Sequence, residues 1–466
     1  MIFAALTPLL LFPAACHHEP KRPEPPSGAG NVVLVLVDTL RADKLGCLGN
    51  TLGLTPEIDA LAEQGFLFEQ AFSHAPWTLP SMASLLTSNL PARHGAGGKF
   101  TATERPTGLI PGVRTLGECF ADQGYETGAI VNVFWLGPKF GMHRGFADYD
   151  FQPPRKGQKV QRLATEVTDR AIAWIRKKQA DSERPFFLMV HYFDPHLTYD
   201  PPAAFRKKFA LPADYTPVPG LFGTEADMIG LRRGRSNASR LPIRRLERLY
   251  NGEIAYTDQE VGRLFDAIDE MGLRESTVVA LLADHGEEFL DHGGFEHGHT
   301  NYDELLHVPL IIRFPELIKP GRSKATVGLM DVAPTLCSLA GVESESTFSG
   351  RSLESILFGQ STESREVVSE GNMWGPAIRS LRSPRHEGYK LIESAGRLEL
   401  YRVSEDPHER HDLAKDAAEA ERRDTMSEYL AARLKLAEGR RLGKASEVSL
   451  TEDEQNSLKG GGYWGE

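Results

Sequence analysis

The chain has 466 residues, of which 41% are hydrophobic and 25% are charged, a composition typical of soluble globular proteins. Its formal net charge of −11 argues against a general nucleic-acid binder, because neutralising phosphates requires a basic protein face. Four cysteines are too few for a disulfide scaffold, and at roughly 100–200 residues per domain the length allows two or three domains, or one large α/β domain with an appendage.

The N-terminus has the composition of a targeting segment. Residues 2–15 form an apolar run that ends directly before Cys16, and the run is shorter than the ~20 residues of a transmembrane helix. Small residues before a cysteine resemble a bacterial lipoprotein signal, with Cys16 as the lipidated residue; an ordinary cleaved signal peptide or a misassigned start codon is the alternative. We expect a signal segment at 1–16, an exposed proline-rich tether at 17–30, and a bacterial protein that is periplasmic or membrane-anchored.

Strand-like and helix-like patterns alternate after the tether. The β-branched run 32–37 is typical of a strand that is buried on both faces of a sheet. This alternation predicts an α/β fold with a mostly parallel sheet sandwiched by helices. The further predicted elements are strands at 186–190, 277–283 and 308–314, and helices with their apolar faces at 160–174 and 254–268.

The alternation breaks at residues 204–248, which are rich in proline and arginine. We interpret this stretch as a solvated insertion, with a basic lid over an anionic substrate as the alternative. Short strands at 389–392 and 398–401 and a charged helix over about 416–438 predict a small C-terminal α+β subdomain. The predicted units are a large domain at 31–360, the C-terminal subdomain at 361–440 and a polar tail at 441–466.

Polar side chains follow three of the predicted strands. Asp38 comes directly after the first strand, His191 and His196 follow the strand at 186–190, and Asp284 with His285 follows the strand at 277–283. Ligands of open α/β sheets bind beyond the carboxyl ends of the strands, so these side chains are expected at one edge. Two carboxylates and an imidazole suit a divalent cation.

Thr78 is a candidate for chemistry at the start of a helix. Pro80 fits the first turn of that helix, so Thr78 stands at its N-terminus. A hydroxyl there faces unpaired N–H groups and the positive end of the helix dipole, which favours binding of a tetrahedral oxyanion and formation of an alkoxide. A helix-capping role alone is the alternative.

In order and spacing, the motifs over residues 31–415 resemble the sulfatase family of the alkaline phosphatase superfamily. The resemblance implies the α/β fold of that superfamily, with 31–360 as the catalytic domain and a small α+β subdomain after it. The motifs that carry it are VDTLRAD (37–43), WTLPS (77–81), LPARHG (90–95), FDPH (193–196), ADHGE (283–287), HG (297–298), YDELLHVP (302–309), DVAPT (331–335) and LYRVSEDPHERHDLA (400–414).

The resemblance also implies one divalent metal ion, with Ca, Mg, Mn and Zn all left open. Relatives with two metals need additional histidines, and Thr198 stands where one of them is expected. His292 and His297 remain candidates for a second ion. The metal ligands implied by position are Asp38, Thr78, Asp284 and His285.

The implied catalytic residues are Thr78, at the position of the family nucleophile, and His196 and His297, which hold the sulfate or phosphate group and assist the leaving group. His299 lies close to the place where many sulfatases carry a substrate-binding lysine. Substrate binding is therefore predicted for His196, His297 and His299.

The departures from the family pattern concern the nucleophile. Most sulfatases carry cysteine or serine there, which is oxidised to formylglycine, and threonine is not a known substrate of that maturation. Met82 replaces the usual arginine of the motif, and the Gly-Lys-Trp-His element is absent near residues 132–135. Threonine is the nucleophile of superfamily relatives that handle phosphoesters, so a phospho- or sulfo-threonine intermediate is expected.

Together these observations predict an exported, metal-dependent hydrolase that cleaves sulfate, phosphate or phosphonate esters through a threonine nucleophile. Its expected partner is an anionic small-molecule, glycan or lipid ester, and lipidated Cys16 would anchor it to the membrane. One alternative is a cell-envelope phosphotransferase of the phosphoethanolamine or glycerophosphate type. The other is a catalytically inactive, sulfatase-like binding protein.

Overall fold

The computed structural model describes residues 30–99, 104–152, 162–197, 199–209, 240–373, 375–386 and 388–455. Cys16, Thr198 and most of the stretch 204–248 lie outside the described residues, so the predictions made for them stay predictions. Among the helices described, none combines the length and the apolar character needed to cross a bilayer.

The strands in chain order are β1 (Asn31–Val37), β2 (Phe66–Phe72), β3 (Glu126–Val131), β4 (Asp148–Phe151), β5 (Phe186–Tyr192), β6 (Thr277–Leu282), β7 (Glu288–Phe289), β8 (Phe295–Glu296), β9 (His307–Val308), β10 (Leu310–Arg313), β11 (Gly321–Gly328), β12 (Val367–Glu370), β13 (Ile378–Ser383), β14 (Tyr389–Ser394) and β15 (Arg397–Arg402). The α-helices are α1 (Pro56–Gln64), α2 (Thr78–Thr87), α3 (Pro91–His94), α4 (Leu116–Asp122), α5 (Ala164–Asp181), α6 (Ala203–Lys208), α7 (Arg240–Glu270), α8 (Asp303–Leu306), α9 (Val332–Leu339), α10 (Glu354–Leu357) and α11 (Ala420–Gly439).

β1 lies in the middle of the large sheet, whose strand order is β11-β2-β10-β6-β1-β5-β3-β4, with β9 paired to β2. β1 is parallel to both β5 and β6, which places Val37 beside Tyr192 and Leu36 beside Leu282. β10 is antiparallel to its neighbours β2 and β6. The predicted α/β class, with a mostly parallel sheet between helices, is confirmed.

Two groups of helices flank this sheet. The helices α1 and α5 both pack on α7, and α2, α4 and α9 form a second group. The apolar side chains of β1 from Val32 to Val37 are at most 1% exposed, as expected for a strand covered on both faces.

Local boundaries differ from the sequence prediction in two places. The predicted strand 308–314 is divided, with Val308 in β9 and Leu310 opening β10, because Pro309 has no N–H to donate to a sheet. The predicted apolar helix face is wrong at Leu163, which precedes α5 in an extended conformation and is 53% exposed.

β12 to β15 form the predicted small C-terminal sheet, an antiparallel meander on which α11 packs. Leu90 and Ala92 of the preceding part of the chain join its apolar cluster. The segment predicted as a polar tail packs back on the large domain as far as it is described: Val448 is buried, its N–H donates to the Pro106 carbonyl at 2.9 Å, and Glu454 pairs with Lys139 at 2.6 Å.

Candidate active site

The carboxyl ends of β1, β5 and β6 bring three predicted groups together. Asp38 is fully buried, and one of its oxygens lies 3.5 Å from Nε2 of His191. Nε2 of His285 lies 3.6 Å from Asp38 Oδ1 and 3.4 Å from Asp284 Oδ2. The parallel pairing of β1 with both neighbours therefore assembles one compact cluster at this edge of the sheet.

The donor atoms of this cluster fit a divalent cation. Asp38, Asp284 and His285 each offer a ligand atom, and these atoms lie within 4.8 Å of one another. Both Asp38 oxygens and Oδ2 of Asp284 are buried without a hydrogen-bond partner among the described residues. Burial, together with the nearby Asp284 and Glu287 carboxylates, holds the pKa of Asp38 well above its usual range. Buried carboxylates in this arrangement require a compensating charge.

The orientation of His285 supports the same role. Its Nδ1 lies 2.9 Å from the Gly286 carbonyl, to which it donates, so Nε2 presents its lone pair toward the two aspartates. This is the usual arrangement of a metal-binding histidine, whose second nitrogen is held by a backbone oxygen.

The backbone at the end of β1 is strained. Thr39, directly after Asp38, has φ = 57°, in the left-handed region that β-branched residues disfavour. The hydroxyl of Tyr250 holds this turn by donating to the Thr39 carbonyl at 2.7 Å and accepting from the Arg41 N–H at 3.2 Å. Such strain is characteristic of functional sites.

Thr78 lies at the first turn of α2, beside the metal-ligand cluster. The residue is 1% exposed, and its Oγ1 is 3.3 Å from Nε2 of His285. The first N–H groups of a helix have no hydrogen-bond partner within the helix, and they make its N-terminus the positive end of the helix dipole. Because Thr78 opens α2, this positive end lies at the Thr78 hydroxyl. The structure thus brings all four predicted metal ligands together.

Ser81 anchors α2 to this cluster, a role that sequence reasoning missed. Its hydroxyl donates to the Asp284 carbonyl at 2.6 Å and lies 2.9 Å from the Ser73 hydroxyl. Trp77, the residue that directly precedes α2, packs edge-on against Trp135, with ring centroids 5.4 Å apart. The serine of the WTLPS motif was the available signal.

His196 and His297 lie next to one another beside His285. The rings of His196 and His297 are 4.9 Å apart, and those of His285 and His297 are 4.5 Å apart. Nδ1 of His196 donates to the Leu197 carbonyl at 2.6 Å. Burial and the neighbouring His297 hold the pKa of His196 well below its usual range, so this ring is neutral at pH 7.

Glu287 is the second residue that sequence reasoning missed, although it is part of the ADHGE motif. It is fully buried and bonds Nδ1 of His297 at 2.9 Å and the Tyr199 hydroxyl at 2.9 Å. Arg41 donates to its carbonyl at 2.9 Å while pairing with Asp291 and Asp43. Glu287 therefore orients His297, and Arg41 holds the backbone of Glu287.

Two other histidines, His299 and His292, form hydrogen bonds with neighbouring carboxylates. Nε2 of His299 lies 2.8 Å from Glu288. A contact between His299 and the substrate stays a prediction. His292 uses both ring nitrogens, with Nδ1 2.7 Å from Glu304 and Nε2 3.0 Å from the Glu409 carbonyl. A role for His292 as a ligand of a second metal ion stays a prediction.

The pair of His292 and Glu304 makes stability dependent on pH. Glu304 raises the pKa of His292 to about 8. A raised histidine pKa contributes stability that is complete below the unfolded-state pKa of about 6.5 and is lost as the pH rises through about 8. We expect the free energy of unfolding to fall by about 2 kcal/mol across this window. Chemical denaturation of a His292→Gln/Glu304→Gln variant, which keeps a neutral hydrogen-bonding pair, should show a smaller decline; an unchanged decline would contradict the assignment.

Comparison with known proteins agrees with this geometry. The family model described as Sulfatase matches residues 30–342, about two thirds of the chain. The chain belongs to the sulfatase family. A second model, described as the C-terminal part of N-sulphoglucosamine sulphohydrolase, matches residues 291–435.

Curated relatives of this sulfatase-family chain span most of its length. It is 24% identical to an arylsulfatase of Clostridium perfringens, over 89% of this chain and 95% of the relative. It is 26% identical to a Δ4,5-hexuronate-2-O-sulfatase of Bacteroides thetaiotaomicron, over 86% of this chain and 88% of the relative.

Solved structures share the fold. One, in complex with D-glucosamine-2-N,6-O-disulfate, has a TM-score of 0.72 at 20% identity and covers 88% of this chain and 98% of its own. The phosphonate monoester hydrolase of Agrobacterium radiobacter has a TM-score of 0.70 at 20% identity and covers 88% and 96%. Together with the Sulfatase family model, the predicted enzyme class is confirmed: the chain is a hydrolase that acts on ester bonds.

Proposed function

We propose that this sulfatase-family member is an exported, metal-dependent hydrolase that uses Thr78 as its nucleophile on anionic sulfate, phosphate or phosphonate esters. One observation carries the proposal: the buried Thr78 hydroxyl lies 3.3 Å from Nε2 of His285, beside carboxylate oxygens of Asp38 and Asp284 that lack partners among the described residues. This arrangement provides a hydroxyl, a helix N-terminus and a cation-binding donor set at one point.

Asp38, Asp284 and His285, together with Thr78, would hold the cation. When bound, it would offset the two carboxylates, favour ionisation of the Thr78 hydroxyl and reduce its repulsion from an anionic ester. The first turn of α2 stabilises negative charge at the same hydroxyl oxygen. The Ser81 hydroxyl, which donates to the Asp284 carbonyl, holds that turn against the end of β6, and Trp77 packs on Trp135.

The threonine side chain determines the type of intermediate. Oγ1 of Thr78, having released its hydroxyl proton to solvent on ionisation, forms a bond to sulfur or phosphorus while the bond to the leaving oxygen breaks, which gives a sulfo- or phospho-threonine ester. Water then attacks that ester, the bond to Oγ1 breaks, and the threonine oxygen recovers a proton. A formylglycine mechanism is not needed for either step.

The two histidines divide the proton transfers between them. Glu287 bonds Nδ1 of His297, so a proton held at Nε2 can be passed to the leaving oxygen. His196 donates from Nδ1 to the Leu197 carbonyl, and its neutral ring therefore carries the lone pair at Nε2. That atom is suited to accept a proton from the attacking water.

The names of the relatives support the range of esters proposed. An arylsulfatase and a hexuronate 2-O-sulfatase are among the curated relatives, which favours a sulfated aryl or glycan substrate. Phosphonate monoester hydrolases are among the structural neighbours and favour phosphorus esters. Threonine at the nucleophile position also favours phosphorus esters.

A substrate panel tests the proposed function. Purified protein is assayed with 4-nitrophenyl sulfate, 4-nitrophenyl phosphate, a 4-nitrophenyl phosphodiester and a 4-nitrophenyl phosphonate, each with Mg²⁺, Mn²⁺, Ca²⁺, Zn²⁺ or EDTA. We expect hydrolysis that requires a divalent cation and is abolished by EDTA, from protein whose Thr78 peptide has its unmodified mass. Full activity in EDTA, or no hydrolysis of any ester with any of the metals, would refute it.

We also propose that the chain is exported and anchored through lipidated Cys16. The apolar run that ends at this cysteine is the supporting observation. A Cys16→Ser variant expressed in a bacterium should lose incorporation of labelled palmitate and move from the membrane to the soluble fraction. Equal labelling of both forms would contradict the anchor.

A further inference from the structure

A buried group of four charged residues joins the C-terminal sheet to the large domain. We call it the Asp303 cluster; it consists of Asp303, Arg382, Lys390 and Glu409. Lys390 is 1% exposed, and its Nζ lies 2.7 Å from Asp303 and 2.6 Å from Glu409. Arg382 pairs with the second oxygen of Asp303. Counted by formal charge, the cluster has two groups of each sign.

The cluster holds the N-terminus of α8 from the C-terminal side. Lys390 and Arg382 lie on β14 and β13, whereas Asp303 is the first residue of α8. Glu409, in the loop after β15, accepts the backbone N–H of Asp303 at 2.7 Å. Both the side chain and the backbone of Asp303 are thus held by residues that lie about 80 to 110 positions later in the chain.

From α8, two hydrogen bonds lead to the metal-ligand turn and to α2. The Leu305 carbonyl accepts the N–H of Gly286 at 2.8 Å, and the Gly286 carbonyl holds Nδ1 of His285. The Leu306 carbonyl accepts the N–H of Ser73 at 2.8 Å, and the Ser73 hydroxyl contacts Ser81.

Arg382 adds a second route to the same place. Its guanidinium lies 3.9 Å from the centre of the Phe72 ring, and Phe72 directly precedes Ser73. The C-terminal sheet therefore contacts the support of Thr78 through a side chain as well as through α8.

We propose that the Asp303 cluster positions the His285 turn and the N-terminus of α2, so that the C-terminal sheet sets the geometry of the metal site. The expected effect on metal binding rests on the proposed function, whereas the positioning of the His285 turn and of α2 does not depend on it. A buried ion cluster adds little net stability compared with apolar packing, whereas it fixes orientation through several directed bonds. Lys390 is thus a positioning residue that acts through Asp303.

The test compares Lys390→Met with Lys178→Met in the full chain. Lys178 is a matched control because it also pairs with two carboxylates, those of Glu126 and Asp148, both at 2.9 Å, at the far edge of the sheet. Amide hydrogen exchange of the Gly286 and Ser73 segments is measured by mass spectrometry, and Mn²⁺ affinity by calorimetry, well below the unfolding temperature of each variant.

We expect Lys390→Met to speed exchange at both segments and to weaken Mn²⁺ binding by about tenfold, a typical size for coupling between sites. Lys178→Met should change neither beyond its effect on overall stability. Lys390→Arg should recover part of the loss, and Glu409→Gln offers a milder variant should Lys390→Met fail to fold.

The outcomes separate this inference from the proposed function. Unchanged exchange at Gly286 and Ser73 in both Lys390→Met and Glu409→Gln would overturn the inference whatever the activity. Faster exchange in a protein that binds no Mn²⁺ would support the positioning role and would count against the proposed metal dependence.

Discussion

A Thr78→Val variant is expected to lose about 10³- to 10⁶-fold of kcat, the range seen when a nucleophile is removed. Valine keeps the β-branched shape at this buried position and removes only the hydroxyl that lies 3.3 Å from His285. Asp38, Asp284 and His285 stay in place, so Mn²⁺ binding measured by calorimetry should weaken far less than activity. The measurement is kcat on the best ester of the panel.

Thr78→Ser is the matched control, because it restores the hydroxyl at the cost of one methyl group. It should retain most of the activity, and rapid quenching of either hydroxyl-bearing form should trap a phosphorylated or sulfated peptide that contains residue 78. Wild-type activity in Thr78→Val would refute the nucleophile. A modified peptide in that variant would place the covalent step elsewhere.

The fold was predictable where its signal is local. The composition of the run from Val32 to Val37 alone indicates a strand that is buried on both faces. Once the strands are recognised, the polar residues that follow three of them are expected at one edge of the sheet. The antiparallel direction of β10 was not predictable, because it depends on pairing with β2 and β6, which are distant in sequence. Pairing direction is a property of the whole sheet rather than of one segment.

The site residues likewise fall into those with a local signal in the sequence and those whose role depends on distant partners. Asp38, Asp284 and His285 could be proposed because each follows a strand, and parallel strands deliver their ends to one edge. Glu287 and Ser81 were missed because their roles exist only once His297 and the Asp284 carbonyl are brought to them. The bonds of His292 to Glu304 and to the Glu409 carbonyl were not predictable, because spacing along the chain reports nearness but not the direction in which a ring is bonded.

Asp38→Asn is expected to change the free energy of unfolding in opposite directions in the metal-free and the metal-bound protein. Without metal, the Asp38 carboxylate is buried beside Asp284 and Glu287, and burial together with these two neighbouring charges holds its pKa well above its usual range. Replacing one carboxylate with an amide of the same shape should raise the free energy of unfolding of the metal-free protein by about 1–3 kcal/mol. Denaturation in EDTA measures this gain.

With metal present the order should reverse. A cation that binds only the folded protein stabilises it by about 4.1 kcal/mol at one thousand times its Kd, so the wild type gains and Asp38→Asn, which lacks a ligand charge, gains little. Asp43→Asn is the control: this carboxylate lies five residues further along and pairs with Arg41 at 2.7 Å instead of facing the cluster. It should keep the full metal-induced gain. Equal stabilisation of wild type and Asp38→Asn by Mn²⁺ would remove Asp38 from the metal site.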